Sequence, residues 1–280
     1  MHGLGNDFVV FDARAEPLAL SAARVIALAD RHTGIGCDQL VVIEASEVAS
    51  AFMRIWNGDG REVEACGNAA RCVATLLGGE GTIATVGGIL DATATAGGAS
   101  VTYPPPRFDW EAIPLAYPVD TADLPVAWPL PNSAAGSGAA GDGAAGDGAA
   151  GSSALEHGFA VNVGNPHVVF FVADSLAVPL GEIGPAIEAD ALFPAHVNVG
   201  VAHVIDRNRV ALRVWERGAG LTRACGTGAI ACAVAAIRRG LAASPVTVGL
   251  PGGDLVVEWT GGPVTLRGPA ATSFTGVVEL

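Results

Sequence analysis

Two cysteines stand in matching surroundings, Glu64-Ala65-Cys66-Gly67-Asn68-Ala69-Ala70-Arg71 and Arg223-Ala224-Cys225-Gly226-Thr227-Gly228. In each, a Cys-Gly step leads from a loop into an Ala-rich apolar run. The spacing predicts helices over 69–77 and 229–237, each with a thiol at its N-terminus. Free backbone N–H groups and the positive end of a helix dipole favour an anion there. They are expected to draw a cysteine pKa from about 8.5 towards neutrality, and they could equally hold a carboxylate. One such segment alone reads as a small buried cysteine with a glycine before a helix; two at equivalent places read as chemistry. Opposed thiols suit inversion of an amino-acid Cα, in which one thiolate removes the α-proton and the other group, a thiol, delivers one from the far side. Helix N–H groups would offset the charge that builds on the α-carboxylate.

The cysteines belong to a longer correspondence. Arg54-Ile55-Trp56-Asn57 is followed after eight residues by Cys66-Gly67, and Arg213-Val214-Trp215-Glu216 after eight by Cys225-Gly226. The shift, 225 − 66 = 159, also carries Gly5-Asn6 onto Gly164-Asn165, Val9-Val10 onto Val168-Val169 and Gln39 onto Asn198 without a gap. A constant shift across separated segments indicates duplication. Duplicated halves tend to pack about a pseudo-twofold axis, which sets equivalent residues face to face across a cleft. The pairs Asn6 and Asn165, Gln39 and Asn198, and Asn57 and Glu216 then supply polar groups; neutral amides donate and accept without imposing charge, which suits a zwitterionic ligand.

The elements that must position these groups are short. Runs at 9–11, 40–43, 161–163, 168–172, 210–214 and 255–259 are rich in β-branched residues, bounded by Gly, Pro and Asn, and read as strands. Pro-rich sequence from Pro104 to Pro131 suits a connection between the halves, with a boundary near residue 115. From 132 to 153 the chain is almost wholly Gly, Ala, Ser and Asp; so little bulky apolar surface predicts a disordered insertion.

Composition narrows the chemistry. With 280 residues and 50% hydrophobic content the chain has material for a substantial core in one or two domains. All 15 basic side chains are arginine. Without lysine, neither a pyridoxal-phosphate Schiff base nor a Walker-type phosphate loop can form, and no cofactor is expected. A net charge of −13 disfavours nucleic acid and anionic membrane surfaces, which leaves a small-molecule partner. No basic segment precedes Asp7 and no uncharged apolar run reaches spanning length, so a cytoplasmic location is expected. Thiols stay reduced there, and five widely spaced cysteines do not read as a disulfide framework. Cys66 to Cys72 and Cys225 to Cys232 are spaced unlike zinc ligands, so no metal is expected. Cys72 and Cys232 fall inside the predicted helices and read as core, Cys37 as a loop filler. A thiol redox protein would want a close cysteine pair, and a non-enzymatic amino-acid binder would have no use for two helix-capping thiols.

Over its whole length apart from 132–153, the chain resembles the diaminopimelate epimerase family. The resemblance is carried by His2-Gly-Leu-Gly-Asn6-Asp-Phe8, Gly36-Cys-Asp-Gln39, Asn57-Gly-Asp-Gly60, Ala65-Cys66-Gly-Asn68-Ala-Ala-Arg71-Cys72 and Asn162-Val-Gly-Asn165-Pro-His167. Asn198-Val-Gly200, Glu216-Arg217-Gly-Ala-Gly220, Ala224-Cys225-Gly-Thr-Gly228 and Leu250-Pro-Gly-Gly253 complete it. It implies a pyridoxal-independent epimerase interconverting LL- and meso-diaminopimelate on the route to lysine and peptidoglycan. Cys66 is implied as proton donor and Cys225 as acceptor, with roles exchanging as the reaction reverses. Asn6, Gln39, Asn57, Gly67, Asn68, Asn165, Asn198, Glu216, Arg217, Gly226 and Thr227 would bind substrate, and His167 and Glu216 would tune the thiols. Arg217 is a natural bidentate carboxylate clamp.

The fold so implied is α/β of the α+β type: two pseudo-symmetric domains, each a mostly antiparallel sheet wrapped around a central helix, with the site between them. One domain would comprise 1–115 plus 269–280 and the other 116–268. A homodimer is implied, as is a short first strand, since relatives usually carry a few more residues ahead of His2. Proline racemase or hydroxyproline epimerase, similar in fold and in paired cysteines, is the alternative reading.

Overall fold

The computed structural model describes residues 1–64, 66–131 and 154–279, so the expectation for 132–153 lies outside the described residues. The first run of elements is β1 (His2–Gly3), β2 (Asn6–Ala13), α1 (Ala22–Ala29), β3 (Gln39–Glu44), β4 (Ala51–Asn57), β5 (Glu62–Val63), α2 (Gly67–Leu77), β6 (Glu80–Thr85), β7 (Gly88–Thr95) and β8 (Gly98–Tyr103). A small hairpin follows, β9 (Trp128–Pro129) with β10 (Ala154–Leu155). The second run is β11 (Phe159–Asn162), β12 (Pro166–Phe171), α3 (Leu180–Glu188), β13 (Asn198–Asp206), β14 (Arg209–Glu216), β15 (Gly220–Thr222), α4 (Gly226–Arg238), β16 (Val246–Leu250), β17 (Gly253–Glu258) and β18 (Val264–Pro269).

One continuous sheet joins the two runs in the order β1-β2-β3-β4-β6-β7-β8-β18-β17-β16-β14-β13-β12-β11, with β5 on β4 and β15 on β14. Its register reproduces the repeat. Phe8 pairs with Gln39 and His167 with Asn198; Leu40 pairs with Trp56 and Val199 with Trp215; Ile55 pairs with Val63 and Val214 with Thr222. Each second pair lies 159 residues beyond the first (8 to 167, 40 to 199, 55 to 214). A slip of one residue would turn a whole strand's side chains to the other face, so shared register means shared placement of every side chain the repeat carries.

Each half therefore wraps a mostly antiparallel sheet around its own helix, α2 in the first and α4 in the second. Residues Ala229 to Ala236 of α4 are all fully buried, as are Cys72 and Val73 of α2. A helix apolar on every side is stable only when covered on every side, and its small alanines let strands approach closely. Cys72 and Cys232 thus lie in the core.

Both central helices start earlier than the alanine run suggests, because Cys66 and Cys225 are themselves the N-cap residues. Val163, Val172 and Trp259 fall just past the strands expected to hold them. The helices α1 and α3, absent from the sequence reading, are a further repeat pair. Ser21 caps α1 by accepting the Arg24 N–H, whereas Pro185 inside α3 interrupts the pattern that would mark it. Near the end of the chain, Ala271 bridges to His2 and Val278 packs on the cluster formed by α1, β2 and β3. Among the described residues no helix is long and apolar enough to cross a membrane.

Candidate active site

Cys66 precedes α2 with φ −144° and ψ 119°, and Cys225 precedes α4 with φ −129° and ψ 112°. The same extended backbone thus aims both sulfurs at a helix N-terminus. The two helix starts abut: a Cβ built on Gly226 would lie 3.4 Å from the Gly67 Cα, and one on Gly67 would lie 3.6 Å from the Gly226 Cα. This approach brings Cys66 and Cys225 to one cavity of about 690 Å³. An adjoining cavity of about 820 Å³ shares Gln39, Asn57, Gly67, Asn165, Glu216 and Thr227 with it, so the two form one cleft.

The residues singled out in the sequence converge here. Asn6, Gln39, Asn57, Cys66, Gly67, Asn68, Asn165, Glu216, Cys225, Gly226 and Thr227 line the first cavity, and Asn198 and Arg217 line the second. His167 stands one layer back, 1% exposed, with its Nε2 2.9 Å from Asn165 Oδ1; its partner is that amide rather than either thiol.

The amides form a linked frame. Asn68 Nδ2 donates to Asn6 Oδ1 at 3.0 Å and to the Ala224 carbonyl at 3.2 Å, tying the start of α2 to the segment ahead of α4. Asn6 Oδ1 also lies 3.9 Å from the Cys66 sulfur. Arg71, wholly buried, donates to Asn68 Oδ1 at 2.7 Å and to the Gly67 carbonyl at 3.2 Å. Gln39 Nε2 donates to Asn57 Oδ1 at 2.9 Å, which leaves its buried Oε1 without a partner among the described residues. Asn198 donates to the Pro166 carbonyl at 2.8 Å and accepts from the Arg217 backbone N–H at 3.0 Å, so it sets the turn that carries Glu216 and Arg217.

The thiols differ from expectation in one respect. Burial outweighs the helix N-termini: it pushes the Cys66 thiol up to about 11 and the Cys225 thiol well above its ordinary value. The amides of Ala69 and Asn68 at Cys66, and of Gly228 at Cys225, pull the other way without prevailing. Glu216 adds a negative charge near both sulfurs and also hydrogen-bonds Cys225. Desolvation of this kind raises a thiol pKa whatever its place at a helix end. Glu216 is itself pushed up by burial, opposed by hydrogen bonds from Thr222 and Cys225. Burial lowers His167 to about 3, with the Arg217 charge adding to the effect, so its ring is neutral near pH 7. Both thiols therefore carry protons near pH 7, and positive charge placed beside either one favours its ionisation.

The sequence reading missed several residues. Arg31 reaches Asp7 and Asp38 at 2.7 Å each on the rim of the first cavity, and Asp38 accepts from Asn6 at 3.0 Å. The available clue was adjacency, since Asp7 follows Asn6 and Asp38 precedes Gln39. Tyr103, at the end of β8, lines the second cavity; nothing in its Pro-rich context marks it.

The model of the family described as diaminopimelate epimerase matches residues 1–104 and 159–271. The chain is 56% identical to the diaminopimelate epimerase of Sphingopyxis alaskensis, covering 100% of this chain and 96% of that relative. With that of Rhizorhabdus wittichii it shares 55% identity, covering 100% and 94%. Among solved structures, a probable proline racemase from Agrobacterium radiobacter superposes with a TM-score of 0.64 at 16% identity, covering 100% of this chain and 91% of the other. That likeness speaks to the fold alone. Sequence match, fold and site geometry agree, and the chain belongs to the diaminopimelate epimerase family.

Proposed function

We propose that this chain inverts one α-carbon of 2,6-diaminopimelate, interconverting the LL and meso isomers without pyridoxal phosphate. The observation that carries the reading is the pair of N-cap thiols across two abutting helix starts. The N–H groups of Gly67, Asn68, Gly226 and Thr227 receive the α-carboxylate. Glu216 and the unpaired Gln39 Oε1 face the α-ammonium, and Arg217, with Asn57, Asn165 and Asn198, serves the distal amino-acid end.

The ammonium brings positive charge directly to the buried thiols. As it binds, Cys225 releases its proton to water, and the resulting thiolate takes the α-proton of the LL isomer and becomes a thiol again. Negative charge moves from Cα into the carboxylate, where the helix N–H groups stabilise it. Cys66 then delivers its own proton to the opposite face of Cα. The two sulfurs end with exchanged protonation, ready for the reverse reaction. Neutral His167 holds Asn165 in place and so acts on the ligand through that amide.

The two runs of the sheet support a division into 1–115 plus 269–280 and 116–268. A cytoplasmic homodimer is part of the same reading, and sedimentation in solution tests the dimer. Incubation with LL-diaminopimelate or L-proline, without added cofactor, tests the reaction. Formation of meso-diaminopimelate and no D-proline is expected; turnover of proline alone, or of diaminopimelate only after pyridoxal phosphate is added, would overturn the proposal.

A further inference from the structure

Tyr103 is 5% exposed, packs into the main core and has a buried hydroxyl without a hydrogen-bond partner among the described residues. A buried polar group left unpaired costs free energy, so an unpaired one beside a cleft calls for an explanation. Its position is defined by Gly67: a Cβ built there would fall 2.5 Å from the Tyr103 oxygen, and the next contacts, Tyr103 Cζ and Gly226 Cα, are at 3.6 Å. The hydroxyl therefore rests against the first residue of α2, beside the point where the two helix starts meet. Tyr103 also borders the cavity that merges with the thiol site.

The helix starts present N–H groups, and burial holds the phenol in its protonated, donating form. What is missing is an acceptor, and the acceptor that a helix-start cradle is built to receive is an anion. On the functional reading given above, on which this inference rests, that anion is the α-carboxylate. We propose that the Tyr103 hydroxyl donates a hydrogen bond to the substrate α-carboxylate, completing the cradle formed by the two helix N-termini. Because negative charge flows into the carboxylate as the α-proton leaves, this bond tightens on the way to the transition state.

Tyr103→Phe removes the oxygen and keeps the ring in the core. In the full chain, kcat with LL-diaminopimelate should fall on the order of 10- to 100-fold with KM within about threefold of the unsubstituted protein. The melting temperature should hold or rise, since no polar group is left unpaired. A kcat within about twofold of the unsubstituted protein, a change confined to KM, or a loss that tracks a lowered melting temperature would each overturn the proposal. If the unsubstituted protein itself fails to turn over diaminopimelate, the functional reading fails and this one with it.

Discussion

Replacing Gly67 with alanine should wedge the start of α2 away from Tyr103 through a single atom. Gly67 has no positive φ, so alanine meets no backbone strain there; the obstacle is the Tyr103 oxygen 2.5 Å from the new Cβ, with every other neighbour at 3.6 Å or beyond. Overpacking of this kind costs about 1–3 kcal/mol, and the better helix propensity of alanine returns up to about 1 kcal/mol. The net loss, about 1–2 kcal/mol, corresponds to a melting temperature lower by about 2–8 °C. Activity should suffer more, because a shift of about 1 Å in a reacting geometry can cost about 100-fold. The assay is thermal unfolding followed by circular dichroism, with kcat/KM, on Gly67→Ala, Tyr103→Phe and the double variant. The double variant should recover the stability lost in Gly67→Ala, since the offending atom is gone, but it should stay slow. Gly226→Ala is the milder control: its Cβ would meet the end of a Leu266 side chain at 3.3 Å, which can move aside. An unchanged melting temperature for Gly67→Ala, or a double variant as unstable as the single one, would refute the reasoning.

Three further outcomes are expected. Cys66→Ala and Cys225→Ala should each lower kcat by about 100-fold or more; near-normal turnover by either would end the two-thiol account. Stability should fall with rising pH from about 9 to 12. Burial raises Cys66 from 9.0 to about 11 and Cys72 and Cys232 to about 12, so the unfolded chain sheds thiol protons that the folded chain keeps. Urea midpoints near pH 8 and pH 10.5 check this, and an equal or higher midpoint at the alkaline pH would contradict it. Arg71→Met should leave the melting temperature within a few degrees, because the buried guanidinium has no carboxylate partner among the described residues, yet lower kcat/KM about 10-fold by freeing Asn68 and the Gly67 carbonyl. A variant with full activity would show that Arg71 plays no part in positioning the cradle.

Much of the site was legible in the sequence because duplication writes the same geometry twice. Once Cys66 and Cys225 fix the shift, strand register follows, and Gln39 and Asn198 must occupy equivalent strand positions as their pairings with Phe8 and His167 show. Helix-start chemistry was also readable, since the Cys-Gly step before an apolar run occurs twice at equivalent places. What escaped depends on tertiary surroundings. Local sequence says nothing of how deeply a helix start is buried, so the thiol pKa values were expected to move in the wrong direction. The strands β6 to β8 are rich in Gly, Ala and Thr, which blunts the alternation that marks a strand. Tyr103 lies against Gly67, 36 positions away in the chain (67 to 103), and no periodicity reveals such a contact.

The central claim, that two separate thiols serve opposite faces of one carbon, is tested most directly by early-turnover isotope entry. LL-diaminopimelate is incubated with the protein in deuterium oxide without cofactor, and both isomers are recovered after a small fraction has converted. A proton taken by one sulfur and a deuteron supplied by the other predict meso product carrying deuterium at the inverted Cα, with recovered LL isomer still carrying protium. Product that retains its original protium would mean that one group removes and returns the same proton, and would contradict the account.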